Sequence, residues 1–159
     1  MTEGPLTIQL EGMEALTRKL GNKQIILRPV AKMISDLALL VQREARSGTP
    51  RDTGALGRSI MREVQPLMAR VFTGLQYAPV MEYGRHPGGP MPPPQALAGW
   101  ARRHGFGTSA GALFVLARSI ARRGIKGRFF MKKATDAGRN ALPRLVSQAV
   151  ASMEGEWRK

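Results

Sequence analysis

Polar and apolar positions change period several times along the chain, and each change marks an element. Leu6, Ile8 and Leu10 alternate with Thr7, Gln9 and Glu11, the two-residue period of a half-buried strand. Gly12 breaks it. Met13 to Leu20 then reads as a short helix and Gly21-Asn22 as a turn. Val30, Met33, Ile34, Leu37, Val41 and Ala45 recur at helical spacing, with Lys32, Asp36, Arg43 and Glu44 mostly off that stripe. Pro29 fits the first turn of this helix, where a missing N–H costs little. Gly48, in Ser47-Gly48-Thr49-Pro50, supplies the stop.

After a short turn at Ala55 to Ser59, Ile60 to Gln65 and Ala69 to Thr73 read as two strands joined at Pro66-Leu67-Met68. Tyr77 to Tyr83 is a short apolar segment with one acid, Glu82. Gly84 to Pro94 holds three Gly and five Pro, which predicts a stiff extended loop. Gln95 to His104 reads as a short helix with Leu97 and Trp100 as core positions. Ala110 to Arg123 reads as another, with Leu113, Phe114, Ala117 and Ile120 on one face. The last helix starts near Arg128 or Phe129, and the Phe129-Phe130 pair anchors that start in the core. Phe130, Ala134, Ala137, Ala141, Leu145 and Ala149 carry the stripe. Gly138 and Pro143 predict a kink there, or two helices in sequence. Met153 to Lys159 is expected to fray.

A length of 159 residues suits one domain, and 43% apolar residues suffice for a core. With no cysteine, disulfide and Cys-ligated metal chemistry are excluded. The longest apolar runs, Leu37 to Val41 and Ala112 to Ala117, are too short to span a bilayer. Met1 to Glu11 lacks the features of a signal peptide, so synthesis and retention in a cytoplasm is the expectation. The formal net charge is +14, unevenly spread. Between Tyr83 and Thr135 there is no Asp or Glu, while Arg85, Arg102, Arg103, Arg118, Arg122, Arg123, Lys126, Arg128, Lys132 and Lys133 all fall there. Such a one-signed field attracts a polyanion or an acidic protein face; the plainer reading is a solvated basic face that aids solubility.

Reactive chemistry is sparse. His86 and His104 belong to no spaced metal motif, and neither a phosphate-cradling glycine loop nor a nucleophile elbow occurs. Asp52 and Glu82 are the only acids inside compact motifs. Asp52 reads first as a cap on the turn that follows it. Glu82 reads as a buried or half-buried acid with a local partner, since isolated buried charge is costly. No enzyme activity, metal or cofactor is expected.

Two signatures stand out: Thr49-Pro50-Arg51-Asp52-Thr53-Gly54-Ala55-Leu56-Gly57-Arg58-Ser59-Ile60, and Tyr77-Ala78 with Met81-Glu82-Tyr83-Gly84. With Val71-Phe72-Thr73-Gly74 between them, and Arg128-Phe129-Phe130-Met131-Lys132-Lys133-Ala134 opening the last helix, their order resembles the HK97 gp10-like family of tailed-bacteriophage neck and tail-completion proteins. The chain departs from that pattern at Pro87 to Lys126, an added basic stretch with two helices, and at Arg128-Phe129-Phe130, where the family usually has a Pro-Phe pair. The resemblance implies an α+β fold: a small antiparallel β-sheet packed against a long N-terminal helix and a C-terminal helix, with a helical insertion at about 87–126 after the Pro/Gly-rich loop. It implies one domain over 1–159 and a structural role in tail completion and head–tail joining, as an oligomer around the DNA channel of the virion. Implied partners are copies of itself and other neck, connector or tail-tube proteins; packaged DNA is a further candidate, and no membrane is involved.

On this reading Pro50, Asp52, Thr53, Gly54 and Leu56, with Tyr77, Glu82, Tyr83 and Gly84, are architectural. Arg102, Arg103, Arg118, Arg122, Arg123, Lys126 and Arg128 are the candidate contacts to DNA or a partner. Two competing readings remain: a basic nucleic-acid-binding protein contacting phosphates non-specifically, and a small nuclease-like enzyme using Asp52 or Glu82.

Overall fold

The computed structural model describes residues 6–9 and 23–157. The expected short helix at Met13 to Leu20 and the Gly21-Asn22 turn lie outside them. The fold is α+β. In chain order it comprises β1 (Leu6–Gln9), α1 (Lys23–Gly48), α2 (Ala55–Ser59), β2 (Ile60–Gln65), β3 (Met68–Thr73), α3 (Ala78–Tyr83) and β4 (Gly84–Arg85). A 3-10 turn at Pro94–Leu97, α4 (Ala98–Arg103), α5 (Ala110–Arg123), β5 (Ile125–Lys126) and α6 (Phe130–Trp157) complete it. The chain divides into two compact units. The first holds Met1–Thr49, Gly54–Leu75 and Phe130–Lys159; the second holds Pro50–Thr53 and Gln76–Phe129. The stretch read as an insertion at about 87–126 falls inside the second unit, which is wider at both ends.

In the first unit, α1 packs chiefly on α6 and the strands, and also on the short α2. Ile26, Val30, Met33, Ile34, Leu37, Ala38, Val41 and Ala45 are all buried, a band broader than one packing partner needs. α6 runs antiparallel to α1. Near one end of the pair Gly48 lies beside Phe130, and further along Val41 and Leu37 lie beside Gly138. β2 and β3 form a hairpin whose last pair is Gln65 with Met68, leaving Pro66-Leu67 as the turn. β1 adds on the far side of β3, antiparallel, giving the order β1-β3-β2. One sheet face buries Ile60, Ala69 and Val71. The other pairs Met61 with Phe72 and Glu63 with Arg70.

Several expectations about the helices differ from the structure. Pro29 lies inside α1, not in its first turn. Buried Ile26 draws the preceding turns onto the core, and that packing outweighs the hydrogen bond the proline forfeits. α6 is one helix through Gly138 and Pro143, because the glycine admits α1 at close range instead of breaking the helix. It continues through Trp157, within the stretch expected to fray. Finally, the two phenylalanines at its start separate. Phe130 is buried, whereas Phe129 is 40% exposed with a positive φ of 52°.

The second unit is built from short pieces. Tyr77 to Tyr83, unassigned from sequence, contains helix α3 with Pro79 in its first turn. The stretch expected to be one extended loop opens with strand β4, which pairs antiparallel with β5 at Gly84–Lys126 and Arg85–Ile125. Gly88 N–H donates to the Ala121 carbonyl, tying the rest of that loop to α5.

Candidate functional site

The first signature bridges the end of α1 and the start of β2. Thr49, buried, donates its hydroxyl to the Arg46 carbonyl (2.8 Å) and closes α1. Gly57 leaves room for it: a Cβ there would sit 3.0 Å from Thr49 Oγ1. Gly54 has φ 72° and its carbonyl accepts from Arg58 N–H (3.0 Å), so the glycine starts α2. Leu56 is buried, Pro50 half-buried and Thr53 exposed. At the far end the Ile60 carbonyl accepts from Gln42 Nε2 (3.0 Å) and from Arg46 Nε and Nη2 (3.2 and 2.8 Å). Three donors on one buried carbonyl fix β2 to α1.

Asp52 does not cap α2, whose N-cap is Gly54 without a side-chain bond. Instead its carboxylate reaches into the second unit's own helix α4. It accepts from Arg103 Nε (2.8 Å) and Nη2 (2.5 Å), a two-point fork, and His104 Nε2 lies 3.4 Å from Oδ1. The bond from the Arg103 guanidinium holds the Asp52 carboxyl below its ordinary value, against a smaller opposing effect of burial, and the same bond raises Arg103.

The second signature forms a tightly closed crossing. Tyr77 precedes α3 and is exposed; Glu82 is buried, 5% accessible; Tyr83 is exposed. The last carbonyls of α3 do not end in solvent: Met81 O accepts from Arg128 N–H (2.9 Å) and Glu82 O from Phe129 N–H (3.0 Å). Gly84 has φ 82°, and any Cβ on it would overlap the Ile125 carbonyl. A Cβ on Gly127 would sit 2.7 Å from Glu82 O, and one on Gly124 would overlap the Arg85 carbonyl. Three glycines thus let two backbone segments approach closer than any other residue would permit.

The candidate cations come from several elements of the second unit. Arg102 and Arg103 end α4; Arg118 and Arg122 lie one turn apart on α5, with Arg123 beside them; Lys126 and Arg128 flank the crossing. All seven are exposed. Among the described residues Arg103 is the only one of them in an ion pair. The unit carries nine Arg and Lys against two carboxylates, Asp52 and Glu82.

Sequence reasoning placed Trp100 in the core and Phe114 on the buried face of α5; both are surface residues. Trp100 is 37% exposed and stacks on His104 (4.4 Å between centroids) and Phe106 (5.3 Å). The helix end explains this. Gly105 has φ 72°, and Phe106 N–H donates to the Ala101 carbonyl (2.8 Å), a six-to-one closure that brings the residue after the glycine back over the last turn. The Gly105-Phe106 pair after a helical run was the signal available for it. On α5 the buried positions are Leu113 and Ala117, and Phe114 points a third of a turn away. Tyr77, Tyr83, Trp100, Phe106, Phe114 and Phe129 are all exposed, six of the nine aromatics in the chain. A small unit that displays aromatics and arginines together has the composition of a contact surface.

Among the described residues, no three of His, Cys, Asp and Glu come together as a metal-holding group, and no helix is long and apolar enough to cross a membrane. No family model, no curated protein and no solved structure matches the chain.

Proposed function

We propose that this chain is a structural component of a tailed bacteriophage or prophage particle, acting in tail completion and head–tail joining, and that it works without catalysis. It assembles as an oligomer around the DNA channel, in contact with neck, connector or tail-tube proteins. One observation carries the reading. The signature stretches lie where the polypeptide passes from one unit to the other: at Thr49-Pro50, at Thr53-Gly54, just before Tyr77, and at Phe129-Phe130. Their residues cap helices, accept backbone bonds and give room for close approach. Such use suits residues shared for architecture rather than for chemistry, in the order that the resemblance to the HK97 gp10-like family rests on.

The test is particle composition. Purified virions should contain the protein at a few to about a dozen copies, as expected of a symmetric ring, and labelled antibody should mark the junction of head and tail. Absence from the particle would end the reading.

The cation excess of the second unit favours one alternative, non-specific binding to nucleic acid through Arg118, Arg122, Arg123, Lys126 and Arg128. That reading requires saturable duplex binding at about 0.15 M salt, with log affinity falling linearly against log salt.

A further inference from the structure

The outward face of α5 is half apolar and half cationic. Gly111, Phe114, Val115, Arg118 and Arg122 fall within about 100° of each other around the helix. All are exposed, Val115 at 67% and Phe114 at 47%, and a Cβ on Gly111 would meet nothing within 4 Å. The outward face of the C-terminal half of α6 carries the matching pattern. Val146 and Val150 are 42% and 45% exposed, and Glu154 follows at the same four-residue step. Among the described residues, neither Arg118 and Arg122 nor Glu154 is in an ion pair, whereas Asp36, Asp52, Glu63 and Asp136 each are.

We propose that these two faces dock on each other between copies of this chain, the α5 face of one copy on the C-terminal α6 face of the next. Laid parallel, Val150 meets Phe114 and Val115, and Glu154 reaches the level of Arg118, with Arg122 one turn beyond, because equal residue steps cover equal rise. The apolar pairs supply the buried centre and the charges the rim and the register. Nucleic acid is the poorer occupant, because Phe114 and Val115 at the middle of the α5 face offer phosphate nothing. The contact is head-to-tail: each copy gives one face and receives the other, an arrangement that closes into a ring or runs on as a filament. This deepens the assembling role proposed above and rests on it.

Charge reversal tests it on the full chain. Sedimentation should show wild-type protein assembling at about 0.15 M salt, where exposed charges still act over about 8 Å. Glu154→Arg and Arg118→Glu should each weaken assembly at least about tenfold, since like charges then face each other at the contact. Their circular dichroism melts should stay close to wild type, as both sites are exposed. The two variants mixed should assemble again, because unchanged faces meet at one contact and two reversed charges, again of opposite sign, meet at the next. Val150→Asp should weaken assembly; mixed with Glu154→Arg it should recover nothing, and mixed with Arg118→Glu it should stop at a pair joined by the one contact whose two faces are unchanged.

A wild type that remains monomeric, variants that assemble like wild type, or a mixture that does not recover would each overturn the proposal. So would Arg118→Glu altering DNA binding while leaving the assembled mass unchanged. Assembly undisturbed by either reversal would sink this contact alone and leave the structural role standing; protein absent from virions would sink the role itself.

Discussion

Gly138 of α6 lies directly on Val41 of α1: a Cβ at residue 138 would come within 2.7 Å of Val41 Cγ2 and 3.4 Å of Leu37 Cδ1. Val41 is a stiff, fully buried side chain and cannot swing aside. Gly138→Ala should therefore destabilise the protein by about 1–3 kcal/mol through overpacking. That is the opposite sign from the gain of about 1 kcal/mol that helix propensity alone would give. Gly155→Ala, on the same helix with open space around it, should show the propensity gain instead. Paired thermal melts decide it; equal effects at the two sites would remove the close helix contact.

The glycine crossing of the second unit separates steric cost from backbone cost. Gly84 and Gly88 both have positive φ, 82° and 79°, but only Gly84 faces backbone at contact distance. Gly88→Ala should cost about 1–2 kcal/mol, the ordinary penalty for a left-handed residue with a side chain. Gly84→Ala should cost more than about 3 kcal/mol, because two backbone segments must part. Hydrogen exchange at Arg128 and Phe129, whose N–H groups bond to Met81 and Glu82, should accelerate in Gly84→Ala and hold steady in Gly88→Ala.

The Ile60 carbonyl draws on two side chains, so their loss should not be additive. Gln42→Met should cost about 1 kcal/mol, since Arg46 still satisfies the oxygen. Adding Arg46→Met should cost more than the two single changes summed, because the buried acceptor is then unpaired. A double-mutant cycle by urea unfolding measures the coupling; simple additivity would contradict a shared acceptor.

Asp52 gives the molecule an acid-sensitive tie. Its folded carboxyl titrates below the unfolded value, chiefly through the Arg103 bond. The contribution is therefore complete above the ordinary carboxylate value of about 3.9. It fades as pH falls through the lowered folded value. The difference in melting temperature between wild type and Asp52→Asn should be present at about pH 5 and shrink as pH falls below the ordinary carboxylate value and through the lowered folded one. A difference that grows on acidification would have the wrong sign.

Much of the architecture was legible in the residues themselves. The α1 stripe, the hairpin and the span of α5 follow from periodicity, which is local. What escaped depends on residues remote in sequence. Pro29 and Gly138 look like helix breakers until Ile26 is buried and Val41 lies alongside. β4 and β5, two residues each, have too little length to show a period. Asp52 has the form of a cap, and only the fold brings Arg103, fifty-one positions on, to its carboxylate. Phe114 stands next to Leu113 in the chain, yet a third of a turn decides which of them the core receives.

The proposed role at a head–tail junction is tested most directly by deleting the reading frame from the phage or prophage that this proposal assigns it to and examining the lysate by negative stain. The account expects filled heads and separate tails, with joined infectious particles appearing when the purified protein is added. Joined, infectious particles at wild-type numbers without the protein would contradict it.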